Sequence, residues 1–187
     1  MKALTQQEVI AVIKAAETAR DRAMIVLGYR HGMRTSEICG LKLADIDLAN
    51  SEITVRRLKG SLKTTQPLND HQGEPMLSEK RLLRAWLRER GDHPSQYVFV
   101  SQRSGRMNRS QFFRIFSSAA EAAGLPVDRR HPHCLKHALG FNLVAADLNL
   151  AKIKQALGHK NIASTVIYTV PTDEAVGKEV ARALASL

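Results

Sequence analysis

One interruption in a series of helical patterns most constrains the fold of this chain. Most of its 187 residues follow the spacing of amphipathic helices, with apolar side chains three and four positions apart. The stretch Glu52–Leu58 instead alternates and is rich in β-branched residues, as strands are, and Thr64–Leu68 can return beside it. A single antiparallel hairpin among helices predicts a mainly α fold with a small antiparallel β-sheet, of the α+β class.

Helical segments are predicted on both sides of this hairpin. A capping box formed by Thr5 and Glu8 begins the first. Others are expected over about residues 20–31, 77–90, 110–123, 132–147 and 172–187, with shorter ones near Ile38 and Leu157. The apolar run Tyr97–Val100 is expected to form one more short strand. Because no repeat or linker divides the pattern, residues 1–187 are expected to form a single domain.

The charge balance points to a polyanionic partner. Lys and Arg number 28 against 18 Asp and Glu, which gives a net charge of +10. A compact domain this basic usually binds a polyanion, and nucleic acid is the commonest one. Charge alone leaves open a solvated basic face without a partner.

Cysteine usage and hydropathy indicate the compartment. Cys39 and Cys134 are too few for a disulfide framework, and both are expected to be buried thiols. No run approaches the length of a membrane span, and no signal-peptide core follows Met1. The protein is therefore expected to be cytoplasmic and to have no membrane partner.

Reactive side chains are concentrated between His131 and Tyr168. His133 and Lys136 are three residues apart and therefore share a helical face, and His159 closes the next helical segment. Imidazoles, cations and a phenol in a basic protein suggest phosphate chemistry, with Tyr168 as a candidate nucleophile. Packing in the core is the alternative for this tyrosine taken alone. A tyrosine with a pKa of about 10 needs a nearby base or cationic field to attack at neutral pH.

Other cations lie where they can grip phosphates. Arg34 occupies a turn between two helices, where free backbone amides and a guanidinium can converge on one anion. The loop before the helix at 110–123 and the hairpin with its surroundings are also basic. The residues expected to contact DNA are Arg56, Lys63, Arg103, Arg106, Arg109 and Lys160. Solvated loop charge, or for Lys63 protection of a strand edge, is the alternative.

The histidines allow a metal site as a second interpretation. His133 and His137 have the i,i+4 spacing of zinc-binding helices, with His131 and Cys134 beside them. No glutamate follows His133 as a metalloprotease would require, so we expect no metal and no cofactor, and a structural role for His137.

Taken in order, these motifs resemble the signatures of the tyrosine recombinase (phage integrase) family. Gly32–Ile38 resembles the first signature, and the second is spread over three segments: His131–His137, Leu157–His159 and Tyr168–Thr169. The resemblance spans essentially the whole chain and implies the catalytic-domain architecture of that family. The hairpin and the length are most similar to the fimbrial phase-switch recombinases, and like those the chain is expected to lack an N-terminal DNA-gripping domain.

The resemblance implies a role for each site residue. Tyr168 would attack the scissile phosphate and form a 3′-phosphotyrosyl link, without metal or ATP. Lys59, favoured over Lys63, would protonate the leaving 5′-oxygen. The residues that would act on the phosphate or on the tyrosine proton are Arg34, His133, Lys136 and His159.

Lys136 departs from the family pattern, which has arginine at this place. Lysine keeps the charge but loses the bidentate fork, so the exchange is not conservative for a phosphate clamp. A catalytically weakened DNA-binding regulator is therefore the alternative to an active recombinase. A tyrosine-using topoisomerase is a third interpretation.

The resemblance also implies partners. Double-stranded DNA is the expected substrate, bound by a homo-tetramer that holds two duplexes, with a monomer or weak oligomer when DNA is absent. The helix over 172–187 is expected to pack on its own core or dock on a neighbouring protomer. Accessory DNA-bending proteins and association with the nucleoid are further expectations.

Overall fold

A computed structural model describes residues 3–57, 63–101, 105–169, 180–182 and 184–185. Within these residues the chain is mainly helical, with one small sheet, as its patterning predicts. The helices are α1 (Gln6–Ala15), α2 (Ala19–Arg30), α3 (Thr35–Cys39), α4 (Glu79–Arg90), α5 (Arg109–Ala122), α6 (His133–Ala145), α7 (Leu150–Leu157) and α8 (Ala163–Val166).

The helices begin where the sequence provides caps. Thr5 and Glu8 form the predicted capping box of α1, and Asn108 with Gln111 forms a second one at α5. The bounds of the longer helices agree with the predicted ones to within about two residues, the usual uncertainty of helix ends. The tail predicted as a helix over 172–187 lies mostly outside the described residues, of which 180–182 and 184 are helical.

The sheet has three antiparallel strands in the order β1 (Ile46–Asp47), β2 (Glu52–Val55) and β3 (Thr64–Pro67). Thr54 pairs with Thr65 and Val55 with Thr64, so the predicted hairpin is confirmed. The two-residue strand β1 was not predicted, because it is too short to show alternation.

The predicted strand Tyr97–Val100 is wrong. Tyr97 makes only an isolated bridge to Lys42, and the Val98 amide donates to the carbonyl of Leu41. Val98 and Phe99 are fully buried. This run is apolar because it packs in the core, and not because it belongs to a β-sheet.

The core lies between the helices and one face of the sheet. It includes Ile53 and Val55 of β2, Trp86 of α4 and Phe112 of α5. A second, smaller cluster joins α7 to α6 and contains Ile153, Leu157 and Tyr168. No helix among the described residues is long and apolar enough to cross a membrane.

Candidate active site

The first turns of α6 project the predicted site residues toward the ends of α2 and α7. His133 is the first residue of α6, and Lys136 and Gly140 follow on its buried face. His133 and Lys136, together with neighbouring segments, border a cavity of about 550 Å³. Its lining residues are Arg34, His133, Lys136, His137, His159, Lys160, Asn161, Ser164, Ile167 and Tyr168. Residues far apart in the chain are thereby brought to one place.

Tyr168 is the most enclosed aromatic group of this cavity, with 4% of its surface exposed. Its ring stacks on His159, with centroids 6.2 Å apart and planes inclined by 15°. Phe141 and His137 meet the same ring edge-on, at 5.2 and 5.7 Å. A Cβ on Gly140 would lie 2.6–2.7 Å from three ring atoms, so the ring rests directly on the backbone of α6.

The environment of Tyr168 keeps its phenol protonated. Burial raises the pKa of Tyr168, and Arg34 counteracts this only in part. For this phenol to act as a nucleophile, another group must therefore accept its proton. The pKa of His133 is lowered to about 4 by burial and by nearby His137, Lys136, His131 and Arg34, so its imidazole is neutral at pH 7 and free to accept a proton.

His159 is placed by the end of α7. Gly158 ends that helix with φ of +62°, a left-handed conformation that glycine adopts readily, and His159 follows at once. Its Nδ1 lies 3.0 Å from the hydroxyl of the buried Thr165. Burial, Lys136 and Arg34 lower the pKa of His159 to about 4. If the Thr165 hydroxyl donates to Nδ1, the other ring nitrogen carries the proton and can donate to a phosphate oxygen.

Arg34 is the N-cap residue of α3 and is held there by Glu37. The Glu37 carboxylate accepts from the Arg34 amide at 2.8 Å and from Nη1 at 3.0 Å. The Arg34 side chain nevertheless remains 38% exposed, so its other donors can face the cavity. A guanidinium beside a helix N-terminus is a suitable place for an anion.

Lys136 is buried, with 2% of its surface exposed. Its ammonium donates to the carbonyl of Gly32 at 3.1 Å and to that of Leu157 at 2.5 Å. Two of its three N–H groups are therefore used, and one is left for a phosphate. Burial, Arg57 and Arg34 lower the pKa of Lys136 to about 7, so only part of the free protein carries this charge at neutral pH.

The remaining predicted residues have different surroundings. Lys59 and Arg103 lie outside the described residues, and Lys63, Arg109 and Lys160 are exposed. Arg56 forms an ion pair with Asp45 at 2.8 Å and keeps 59% of its side chain exposed. Arg106 lies over the ring of Tyr97 and donates to the carbonyl of Cys39. DNA contacts by these side chains remain predictions.

Three residues of the site were not singled out from the sequence. Glu37 and Arg57 form a buried ion pair below the cavity, and Gly140 supports Tyr168. The burial of Arg57 could have been predicted, because this residue alternates with Ile53 and Val55 and therefore lies on the inward face of its strand. Gly140 gave no signal, since a helical glycine is informative only once its neighbour is known.

The alternative metal site finds no support in the geometry. His133 and His137 meet edge-on with ring centroids 4.5 Å apart, and Cys134 faces His131. No group of three or more His, Cys, Asp or Glu side chains that could hold a metal ion occurs among the described residues.

Comparison with known proteins places this chain and its fold in one class. The family model described as the phage integrase family matches residues 2–175. The type 1 fimbriae regulatory proteins FimE and FimB of Escherichia coli K12 are each 38% identical to the chain and align with 89% of it, and with 84% and 82% of their own lengths. Tyrosine recombinase XerA of Pyrococcus furiosus is 32% identical over 97% of the chain and 62% of its own length.

Solved structures share the fold of this chain. A crystal structure of XerA recombinase superimposes with a TM-score of 0.79 at 28% identity, covering 97% of the chain and 63% of that protein. XerH site-specific recombinase bound to its difH substrate gives a TM-score of 0.78 at 23% identity, covering 96% of the chain and 54% of that protein. The class is that of the tyrosine site-specific recombinases. The chain belongs to the phage integrase family, as its motifs predicted.

Proposed function

We propose that this protein is a site-specific DNA recombinase that cleaves and rejoins DNA through a 3′-phosphotyrosyl intermediate at Tyr168. The phenolic oxygen forms a bond to the scissile phosphorus, and the bond to the 5′-oxygen of the next nucleotide breaks. The phenolic proton passes to a base, and the leaving oxygen gains a proton. One phosphodiester is exchanged for another, so the step needs neither ATP nor a metal ion.

The cavity lined by Tyr168, His133, Lys136, His159 and Arg34 carries this proposal. It joins a nucleophile, neutral imidazoles and two cations, which are the groups that transfer of a tyrosine to phosphorus requires. The net charge of +10 supplies the attraction to DNA.

The neutral imidazoles support the proton transfers. In this proposal His133 accepts the proton of Tyr168, because its imidazole is neutral at pH 7. His159 donates a hydrogen bond to a non-bridging oxygen. Lys59 protonates the leaving 5′-oxygen, a role that rests on the family resemblance because this residue lies outside the described part of the chain.

The cations support stabilisation of the transition state. Arg34 and Lys136 would contact the non-bridging oxygens, where negative charge develops during attack. A bound phosphate also favours the charged form of Lys136, so DNA itself would recruit the proton that the free protein holds only in part.

A second candidate function is supported by the contacts of Lys136. Because its ammonium is bound by the carbonyls of Gly32 and Leu157, it can offer a phosphate one N–H and no bidentate contact. A protein with such a weakened clamp would act as a DNA-binding regulator that cleaves slowly or not at all.

The deciding experiment is a covalent selection that does not require the target sequence in advance. A library of nicked duplexes with randomised sequence is incubated with the protein, and the DNA that remains attached to the protein after denaturation in detergent is recovered and sequenced. The recombinase should enrich one related set of sequences. Tyr168→Phe should enrich none, although it should retard the same duplexes in a native gel.

Each outcome separates the candidates. Covalent enrichment that depends on Tyr168 supports the recombinase. Sequence-specific binding by both proteins without any covalent DNA contradicts it and supports the regulator. Assembly is tested on the recovered duplex, where four protein copies on two duplexes are expected by light scattering. The same measurement without DNA should give a monomer or weak oligomer.

A further inference from the structure

Arg57 is a buried charge that the proposed reaction does not itself use. It follows β2, its side chain has no exposed surface, and it does not line the cavity. Burying a guanidinium is costly unless every contact is well made, so its position calls for a physical reason.

The guanidinium joins three segments that carry site residues. Its Nη1 donates to the carbonyl of Gly32 at 3.1 Å and to the carboxylate of Glu37 at 3.3 Å. Its Nη2 donates to the carbonyls of His31 at 2.9 Å and Ala156 at 2.8 Å. These acceptors lie at the C-terminal ends of α2 and α7 and on α3. A cation there satisfies free carbonyls and opposes the negative ends of two helix dipoles.

One connection leads to Arg34. The Glu37 carboxylate lies between the two arginines, with one oxygen 3.0 Å from Arg34 Nη1 and the other 3.3 Å from Arg57 Nη1. Without Arg57, this buried carboxylate would lose a partner and could be drawn toward Arg34 alone, which would change where Arg34 points.

A second connection leads to His159. A Cβ on Gly158 would lie 2.5 Å from Arg57 Nε and 2.7 Å from its Cδ, so the turn before His159 packs directly on the arginine side chain. That Nε has no hydrogen-bond acceptor within the described part of the chain. The Arg57 side chain therefore holds the turn at Gly158 in place, both by this contact and by its hydrogen bond to the carbonyl of Ala156.

A third connection is electrostatic and leads to Lys136. Both cations donate to the carbonyl of Gly32. After burial, the charge of Arg57 is the largest cause of the lowered pKa of Lys136. Arg34 acts in the same direction and Glu37 in the opposite one, while the neutral imidazoles of His133 and His159 face the same cavity.

We propose that Arg57 is a positioning residue for DNA cleavage. Arg57 lies beneath the proposed phosphate site. It holds Arg34 in place through Glu37, and it holds His159 in place through Gly158 and Ala156. Its positive charge also disfavours the charged form of Lys136. The proposal rests on the proposed recombinase function, and it assigns Arg57 no contact with DNA.

The test measures covalent adduct formation in single turnover, with the full chain and the duplex recovered in the covalent selection. Arg57→Gln removes the charge, and Arg57→Lys keeps the charge but cannot reach all four acceptors. Arg20→Gln is the matched control, because Arg20 pairs with Asp21 at the opposite end of α2. Rates are measured at saturating DNA from pH 5.5 to 9, with DNA affinity and thermal unfolding measured in parallel.

Arg57→Gln should lower the saturated rate about tenfold or more, while DNA affinity changes by less than about threefold. The pH above which its rate declines should move upward by about half a unit or more, because Lys136 loses a neighbouring positive charge. Arg57→Lys should keep the decline where the wild type has it and recover only part of the rate. Arg20→Gln should match the wild type in both respects.

The proposal is overturned if Arg57→Gln and Arg20→Gln cleave equally fast at saturating DNA. It is also overturned if the rate loss follows the loss of folded protein with no change in the pH profile, since that would be a purely structural role. If Arg57→Gln does not fold, Arg57→Lys decides, because a wild-type rate in that variant contradicts the proposal. Absence of adduct with the wild type would instead refute the recombinase function itself.

Discussion

Replacing Lys136 with methionine should change how the stability of the protein depends on pH. Lys136 is 2% exposed, and the pKa of its ammonium is lowered from 10.5 to about 7 by burial, Arg57 and Arg34. Between these two pH values the unfolded chain binds more protons than the folded one, so the stability of the wild type rises with pH across this window. Methionine has a similar length and does not titrate.

The magnitude follows from the two pKa values. At pH 7 the shift disfavours the folded state by about 4 kcal/mol, and at pH 9 by about 2 kcal/mol. The free energy of unfolding of the wild type should therefore increase by about 2 kcal/mol more than that of Lys136→Met over this interval. His133 and His159, with pKa values of about 4, lie below the window.

Urea unfolding at pH 7, 8 and 9 measures this difference. The buffers should contain no phosphate, which would occupy the site and favour the charged lysine. The quantity compared is the change in unfolding free energy between pH 7 and 9, so any constant effect of the methionine cancels. Lys14→Met, on the exposed face of α1, is the control and should follow the wild type.

Equal pH dependence of the wild type and Lys136→Met would refute this reasoning. It would mean that Lys136 ionises as freely in the folded protein as in water, and is not buried between the carbonyls of Gly32 and Leu157. A Lys14→Met protein that behaved like Lys136→Met would also contradict it, because the effect would then belong to any lost lysine.

Three further predictions concern cleavage and binding. Gly140→Ala should slow adduct formation by about tenfold or more, because the added methyl group would displace the ring of Tyr168. Gly28→Ala, in another helix, is the control and should affect thermal stability but not the position of the tyrosine. Lys136→Arg should flatten the decline of the cleavage rate toward high pH, since arginine stays charged, and a profile like that of the wild type would exclude Lys136 as the titrating group. Arg109→Gln should lower the slope of log affinity against log salt by about one if this exposed arginine contacts a phosphate, and an unchanged slope would remove it from the interface.

Local patterns determined most of the secondary structure. The capping box at Thr5 and the apolar spacing of α4 and α6 are properties of neighbouring residues, so they could be predicted without the fold. The strand predicted over Tyr97–Val100 is wrong because the sequence pattern of a buried apolar run is the same in both cases: its amides can pair with a neighbouring strand or with scattered carbonyls.

The sequence by itself also determined which side chains form the candidate site. Arg34, His133, Lys136, His159 and Tyr168 could be named because their spacing resembles the signatures of a known family, and the cavity brings all five together. Order along the chain was enough for this, since it required no knowledge of contacts.

Only the tertiary structure decided the state of those groups. Whether Lys136 is charged depends on its burial and on Arg57 and Arg34, which lie far from it along the chain. The support of Tyr168 by Gly140 and the burial of Arg57 beneath Gly158 depend on packing between separate segments. Burial and long-range charge set the pKa values, and neither is a property of neighbours in sequence.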